Sequence, residues 1–257
     1  MTMERSPDAA PDRYRAPALD KGLDILELLA GQSEGLTRAE IVKAMGRSPS
    51  EIYRMLERLV ARNFVARTAG GDRYALTMKL FVLAMGHPPL RRLVAQAQPL
   101  MDAFAREALQ SCHLAVPDQG AALVIAQASP VEVWEFRVRV GARLGLIETG
   151  SGQTLLAFQD PARRAETLAL WGATGIGTEV AALEDRLAAT RAQGCRIGES
   201  GQLLGVQDIS VPVLTARGEA FAVLTCPFIG RPAPHEGETV PQVVARLRTL
   251  AAQISFG

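Results

Sequence analysis

The chain has 257 residues, with 28 Lys and Arg against 27 Asp and Glu and a formal net charge of +1, so no bulk electrostatic field demands nucleic acid or an acidic partner. Hydrophobic residues make up 48% and aromatics only 5%, so a core built mostly from Ala, Leu and Val is expected. No apolar run reaches the roughly 20 residues that span a bilayer, and "MTMERSPDAAPDRYRAP" lacks an apolar signal core, so no membrane role and a cytoplasmic location are expected. Cys112, Cys195 and Cys226 are odd in number and widely spaced, which fits buried thiols in a reducing compartment better than a disulfide framework or a zinc site. His87, His113 and His235 are equally scattered; His113 adjoins Cys112, but neighbours on a strand point to opposite faces. No metal, cofactor or catalytic residue is expected.

Residues 1–16 read as a disordered tail. From Leu19 to Leu29 the apolar residues Leu19, Leu23, Leu26, Ile25 and Leu29 recur at helical spacing, and Gly31 to Gly35 break the run. A second helix opens with the capping box Thr37-x-x-Glu40 ahead of Ile41, Val42 and Met45, and Gly46 suits a left-handed end. The third, "GRSPSEIYRMLERLV", starts with Ser48 as N-cap, Pro49 at the first helical position and Glu51 completing a box. Ile52, Met55, Leu56 and Leu59 form its core face, and two short helices meeting at so tight a turn make a helix-turn-helix. Then "FVART" and "RYAL" flank "AGGD" as a hairpin, giving the element order of a winged helix-turn-helix over residues 17–76.

Arginine and lysine cluster in this stretch: Arg38, Lys43, Arg47, Arg54, Arg58, Arg62, Arg67 and Arg73 against Glu40, Glu51, Glu57 and Asp72. A local basic excess on a neutral chain fits a small DNA-binding module, although a solvated helix surface has the same composition. Ser50, Glu51, Tyr53 and Arg54 occupy the N-terminal solvent face of the third helix, the part that enters a major groove. Arg54 suits guanine or a phosphate; Glu51 suits cytosine N4 or its own cap. Arg38, Arg47, Ser48, Ser50 and Arg58 complete the candidate contact set, and Arg67 and Arg73 flank the wing turn.

"TMKLFVLAMG" resumes helical patterning, and His87-Pro88-Pro89 marks a hinge, so residues 77–89 read as a linker helix and hinge. Residues 90–257 read as an α+β domain. It opens with a helix from Leu90 to Leu109 bearing Leu93, Leu100, Met101 and Phe104 on one side. Strands are expected at "CHLAVPD", "AALVIAQ" and "VEVWEFRVRV", the last placing Arg137 and Arg139 on one face. "TGSGQTLLAF" is a loop running into a helix; helices near 162–171 and 180–193 follow, then strands "CRIGES", "DISVPVL" and "EAFAVLTCPF" with a turn at Arg217-Gly218, and a last helix from Val240 to Ile254.

In this order and spacing, "ALDKGLDILELLA", "GLTRAEIVKAMGRSPSEIYRMLERLVARNFV", "RYALTMKLFVLA", "HLAV", "RVGARLGLIETGSGQTLLAF" and "GVQDISVPVLTARGEAFAVLT" resemble the IclR (isocitrate lyase regulator) family of bacterial transcription factors, across about residues 17 to 255. The resemblance implies a winged helix-turn-helix, a linker helix that helps form dimers, and a GAF-like antiparallel-sheet effector domain. It implies a ligand-responsive regulator, most often a repressor, of a small-molecule catabolic pathway. Its partners would be a pseudo-palindromic double-stranded DNA operator, a small effector, and a second copy in a homodimer or dimer of dimers. The candidate effector residues are Arg137, Gly141, Leu144, Leu146, Thr149, Gly150, Ser151, Gly152, Asp208, Ile209 and Thr225, of which Thr149, Gly152 and Thr225 follow the family's pattern. Many members carry histidine where Ile147 stands, cysteine where Asp208 stands, and Ser or Thr where Pro227 stands.

A helix start at Thr149–Gly152 suits a carboxylate, or else Gly150 and Gly152 simply make the turn. Asp208 would accept from hydroxyls and repel a plain anion, or else cap a turn; with the loop it points to a sugar acid or other small hydroxylated acid. Two rival functions stand beside this one. A hydrolase fused to the helix-turn-helix needs a nucleophile with a base in reach, and Ser151, Cys226 and the histidines show no local signature of one. A DNA-binding protein whose C-terminal half only oligomerises needs no pocket.

Overall fold

Thr37 begins two structures at once. It is the N-cap of α2 (Arg38–Met45), its Oγ1 accepting from the Glu40 N–H while Glu40 accepts from the Thr37 N–H at 2.8 Å. With Leu36 it also forms β1 (Leu36–Thr37), a short strand paired to β3 (Arg73–Leu76) through Leu36↔Tyr74 and Thr37↔Arg73. The wing is therefore three-stranded, in the order β1-β3-β2 with β2 (Val65–Arg67), where the local pattern predicts only a hairpin. The computed structural model describes residues 16–68, 70–131, 136–170, 176–231 and 237–255. It divides into two units between Pro88 and Pro89.

In the first unit α1 (Pro17–Ala30), α2 and α3 (Pro49–Ala61) close over Ile25, Leu29, Ile41, Ile52, Leu56, Val65 and Tyr74. Gly46 ends α2 with φ +59°, a conformation that carries no Cβ penalty in glycine. Ser48 then starts α3, giving its N–H and Oγ–H to the Glu51 carboxylate at 3.3 and 2.9 Å. Of the apolar repeat in α1, only Ile25 and Leu29 are buried, and Leu19 and Leu23 stay exposed. The helix α4 (Lys79–Met85) closes the unit with Phe81, Val82 and Leu83 each more than half exposed.

The second unit is an antiparallel six-stranded sheet in the order β6-β5-β4-β9-β8-β7. Its strands are β4 (Cys112–Asp118), β5 (Ala121–Ala128), β6 (Arg143–Leu144), β7 (Arg196–Glu199), β8 (Gln207–Leu214) and β9 (Ala220–Phe228). Strand alternation sorts the side chains. Cys112, Leu114, Ile209, Val211, Leu224 and Cys226 pack with Met101 and Phe104 of α5 (Pro88–Ala108) and Leu247 of α9 (Val240–Ile254). The opposite face carries Ala115, Val124 and Val223, on which Leu155 of α6 (Gly150–Ala157) sits. Outside α6, α8 (Ile176–Gln193) contributes Leu183 and Leu187 to a further cluster; α7 (Pro161–Leu170) precedes it.

The expected strand from Val131 to Val140 is corrected. Residues 136–139 are irregular, and residues 132–135 lie outside those described. Apolar alternation makes a strand only where a neighbour offers hydrogen bonds, and β5 is engaged only further on. Gly141, at φ +85°, donates to the Val124 carbonyl at 2.8 Å, and β6 pairs through Leu144↔Ala122. Arg137 and Arg139 are therefore exposed on irregular chain and do not share a strand face.

Every residue of α6 is buried. Its first turn approaches other backbone so closely that a Cβ at Gly152 would strike the Gly145 carbonyl and the Leu146 Cα. Backbone cannot swing aside as a side chain can, so Gly152→Ala is expected to lower stability by about 1–3 kcal/mol, measured by urea unfolding. An unchanged midpoint would show that α6 shifts freely on the sheet.

Candidate DNA-binding face and candidate ligand site

Two sets of charges coexist on the first unit. Lys21 of α1 pairs with Glu51, Arg67 with Glu57, and Arg73 donates to the Gly35 carbonyl at 3.0 Å beside Glu40 at 3.4 Å. These acids belong to the scaffold. The hydrogen bonds from Lys21 and then Ser48 pull the Glu51 carboxyl down to a pKa of about 2, so it stays ionised in its cap. Arg38 stacks over the exposed Tyr53 ring at 5.7 Å, and Arg67 over Tyr74 at 5.5 Å. Between the two lies a cleft of about 690 Å³ lined in part by Arg38, Tyr53, Arg67 and Asp72. Arg47, Ser50, Arg54 and Arg58 are exposed, and no ion pair among the described residues engages these arginines. The exposed face of α3 thus presents uncommitted guanidinium groups beside one stacked tyrosine.

In the second unit, polar side chains line up across the sheet beneath α6. The strand registers set His113 opposite Gln127 and Thr225, Thr225 opposite Ser210, and Ser210 opposite Arg196, one residue from each of five strands. His113 Nε2 lies 3.0 Å from Ser151 Oγ, which is 2.8 Å from Thr225 Oγ1, and Thr225 donates to Ser210 Oγ at 2.9 Å. Because Thr225 spends its proton on Ser210, Ser151 donates to Thr225 and accepts from His113 Nε2–H. That tautomer leaves Nδ1 as a bare acceptor without a partner. At the start of α6, Thr149 Oγ1 accepts from the Gly152 N–H at 3.0 Å and the Gly150 N–H donates to Asp208 at 3.2 Å. Burial raises the Asp208 pKa, and the Gly150 N–H and Arg196 oppose that shift.

The C-terminal IclR regulator model matches residues 90–256 and the IclR helix-turn-helix model residues 18–69. The chain belongs to the IclR family of bacterial transcriptional regulators. Among relatives of this IclR protein, the glycerol operon regulatory protein of Streptomyces griseus is 29% identical over 93% of this chain and 94% of that protein. The regulator BhcR of Paracoccus denitrificans is 29% identical over 96% and 89%. An IclR homologue from Microbacterium hydrocarbonoxydans, solved in complex with 4-hydroxybenzoate, superposes with a TM-score of 0.74 at 24% identity, covering 93% and 97%.

Of the IclR effector positions named from sequence, the fold gathers Thr149, Gly150, Ser151, Gly152, Asp208 and Thr225. Leu146 lies against them by its backbone, its Cα beside Gly152, while its side chain packs with Leu156 and Leu183. The fold does not gather the others: Ile209 faces the α5 and α9 core, Leu144 packs in the Leu155 cluster, and Gly141 and Arg137 are exposed. Sequence reasoning missed His113, Ser210, Gln153 and Arg196. For His113 and Ser210 the signal was a polar residue among apolar strand positions, meaningful only once the registers are known; Gln153 lies in α6 and Arg196 opens the mostly polar β7, where nothing local marks them. Nor did local sequence pair Ser151 with His113, 38 positions apart. Their contact has the spacing of a nucleophile and base, but the imidazole is 3% exposed, the hydroxyl 1%, and no acid orients Nδ1. Among the described residues no cluster of three His, Cys, Asp or Glu side chains is placed to hold a metal.

Burial lowers the His113 pKa from 6.5 to about 4. As pH falls the unfolded chain takes up this proton first. The stability that depends on neutral His113 is therefore complete above about pH 6.5 and lost progressively towards pH 4, up to about 3 kcal/mol. Unfolding at stepped pH should show this slope in the wild type and a shallower one in His113→Gln, which keeps an N–H for Ser151. Equal slopes would assign the acid sensitivity elsewhere.

Proposed function

We propose that the protein is an effector-controlled repressor that binds a pseudo-palindromic operator as a homodimer or dimer of dimers, in the cytoplasm. The observation that carries the DNA half is the division of charge around α3, in which Glu40, Glu51 and Glu57 tie down Arg73, Lys21 and Arg67 and leave Arg47, Arg54 and Arg58 open. Ser48, Ser50, Arg47 and Arg58 position phosphates, Tyr53 and Arg54 face base edges, and the wing residues Arg67 and Arg73 follow the backbone. Arg38 holds Tyr53 in place by stacking. Glu51 serves the helix cap. The apolar surface of α4, with Phe81, Val82 and Leu83 exposed, supports a second copy as its cover.

The ligand half rests on the convergence of Gly150, Ser151, Thr225 and Asp208 at the start of α6. Hydroxyls and amide groups at a helix start favour an oxyanion, and Asp208 favours hydroxyl groups beside it. A sugar acid or other small hydroxylated acid fits this chemistry. Relatives are named for the glycerol and acetate operons, which is in keeping with control by small oxygenated metabolites.

Arg54→Ala is expected to weaken operator binding by about 1–3 kcal/mol and relax specificity at one position in each half-site, read by fluorescence anisotropy on a set of single-base operator variants. Uniform weakening with a salt slope flatter by about one would make Arg54 a phosphate contact instead. For the ligand, calorimetric titration of the full chain with sugar acids, fatty acids and aromatic acids is expected to give tight binding only for the first class, weakened in Asp208→Ala. Tight binding of an aromatic or fatty acid that survives loss of Asp208 would overturn this assignment.

A further inference from the structure

We infer that Thr77 and Lys79 are positioning residues for operator recognition. They fasten α4 to the end of α3, so that two copies paired through α4 hold their α3 helices at one fixed spacing on the DNA. This rests on the reading that a second copy covers α4, and it names the two side chains that carry that pairing to the DNA-contacting helix.

The helix α4 stands on a narrow base. Leu80, Phe81, Val82, Leu83 and Ala84 are all exposed, whereas Lys79 is half-buried, as is Thr77 just before the helix. Seven residues are too few to hold a helix in water without help. Part of that help lies at the base. The Thr77 N–H donates to the Phe64 carbonyl at 3.0 Å, and its hydroxyl donates to the Asn63 carbonyl at 2.5 Å. The same hydroxyl oxygen accepts from the Lys79 N–H at 3.2 Å and so starts the first turn.

What Thr77 and Lys79 grip is the C-terminal end of α3. Arg62 is its C-cap, and Asn63 turns the chain away with φ +58°. The Lys79 ammonium donates to the Arg62 carbonyl at 2.5 Å and lies 4.5 Å from the centroid of the Phe64 ring. A cation placed there meets the negative end of the α3 dipole and the electron-rich face of the ring together. Carbonyls at and just past a helix end have no partner inside it. Those of Arg62, Asn63 and Phe64 find theirs in Thr77 and Lys79.

The consequence is mechanical. Tyr53 and Arg54 lie on α3, whose far end is joined to α4 by the Thr77 and Lys79 bonds and by the contact with the Phe64 ring. Turning α4 therefore breaks these contacts or carries α3 with it. On a duplex, moving one half-site by two base pairs rotates it by roughly 70° about the axis. A dimer whose helices are fastened in this way cannot follow that rotation, whereas one with a loose joint can. Thr77 and Lys79 set spacing selectivity without reading a base.

The test uses the full chain and duplexes that the wild type selects from a random-sequence library, rebuilt with their half-sites one and two base pairs closer or farther apart. A duplex with a single half-site is the control. Fluorescence anisotropy on the wild type should show a loss of roughly a hundredfold at the two-base-pair shifts, the avidity of holding both half-sites. Lys79→Gln and Thr77→Val, made separately, should each cut that loss to about tenfold or less, with the single half-site bound as in the wild type. Lys79→Arg should keep the loss, and if one variant fails to fold the other carries the test. Wild-type spacing losses in Lys79→Gln and Thr77→Val overturn the inference. So does a Lys79→Gln protein that binds every duplex more weakly, single half-site included, with a salt slope flatter by about one, since Lys79 would then be a phosphate contact. Phe81→Ser separates this inference from the dimer reading. If Phe81→Ser abolishes the spacing loss while Lys79→Gln and Thr77→Val keep it, a second copy covers α4 and only the fastening falls. If the wild type is indifferent to spacing, or Phe81→Ser keeps the full loss, the dimer reading fails and the inference falls with it.

Discussion

The second unit depends on how closely the first turn of α6 can lie against the sheet. At Gly152 the neighbours are the backbone of Gly145 and Leu146, and at Gly150 they are the side chains of Ser210 and Asp208. With both Cβ atoms absent, the helix start is pressed into the sheet and its amides reach Thr149 and Asp208 in place of water. A helix buried on every side has no polar face to turn outwards. Ser151 therefore joins the hydroxyl chain and Gln153 binds Arg196. The polar row follows from the burial of α6, because any hydroxyl placed there has to be paired or lose its hydration without return.

The same row explains why this face differs from the one under α5 and α9. Alternation along β4, β8 and β9 sends Cys112, Leu114, Ile209, Val211, Leu224 and Cys226 one way and His113, Ser210 and Thr225 the other. One side is a dry apolar core. The other is a network whose members are all satisfied except a few defined atoms, among them His113 Nδ1 and Arg196 Nη1. A network of this kind specifies a unique packing.

In the first unit the economy is electrostatic. A near-neutral chain still offers a basic face, because its acids are spent internally: Glu40 and Glu51 cap helices and hold Arg73 and Lys21, and Glu57 holds Arg67. Surface pairs of this sort add little stability. Their effect here is one of placement, keeping carboxylates off the exposed face of α3 and fixing the wing beside it.

Local rules determined most of the elements from sequence. Capping boxes at Thr37 and Ser48, the left-handed glycine at Gly46 and the helical spacing of Ile52 and Leu56 act within a few residues, so composition and spacing were enough to find them. The Asp208–Gly150 neighbourhood was legible through the family resemblance. Tertiary structure decided what depends on pairing between distant segments. Leu36–Thr37 became a strand because β3 offered it hydrogen bonds, and residues 136–139 did not, although their alternation looked better suited. His113 stands 83 positions from Arg196 and 97 from Ser210, the three lie on separate strands, and only the antiparallel registers bring them to one line under α6. A single sequence carries the periodicity of each strand but not the register between strands, and a shift of one residue would turn each of these side chains to the other face.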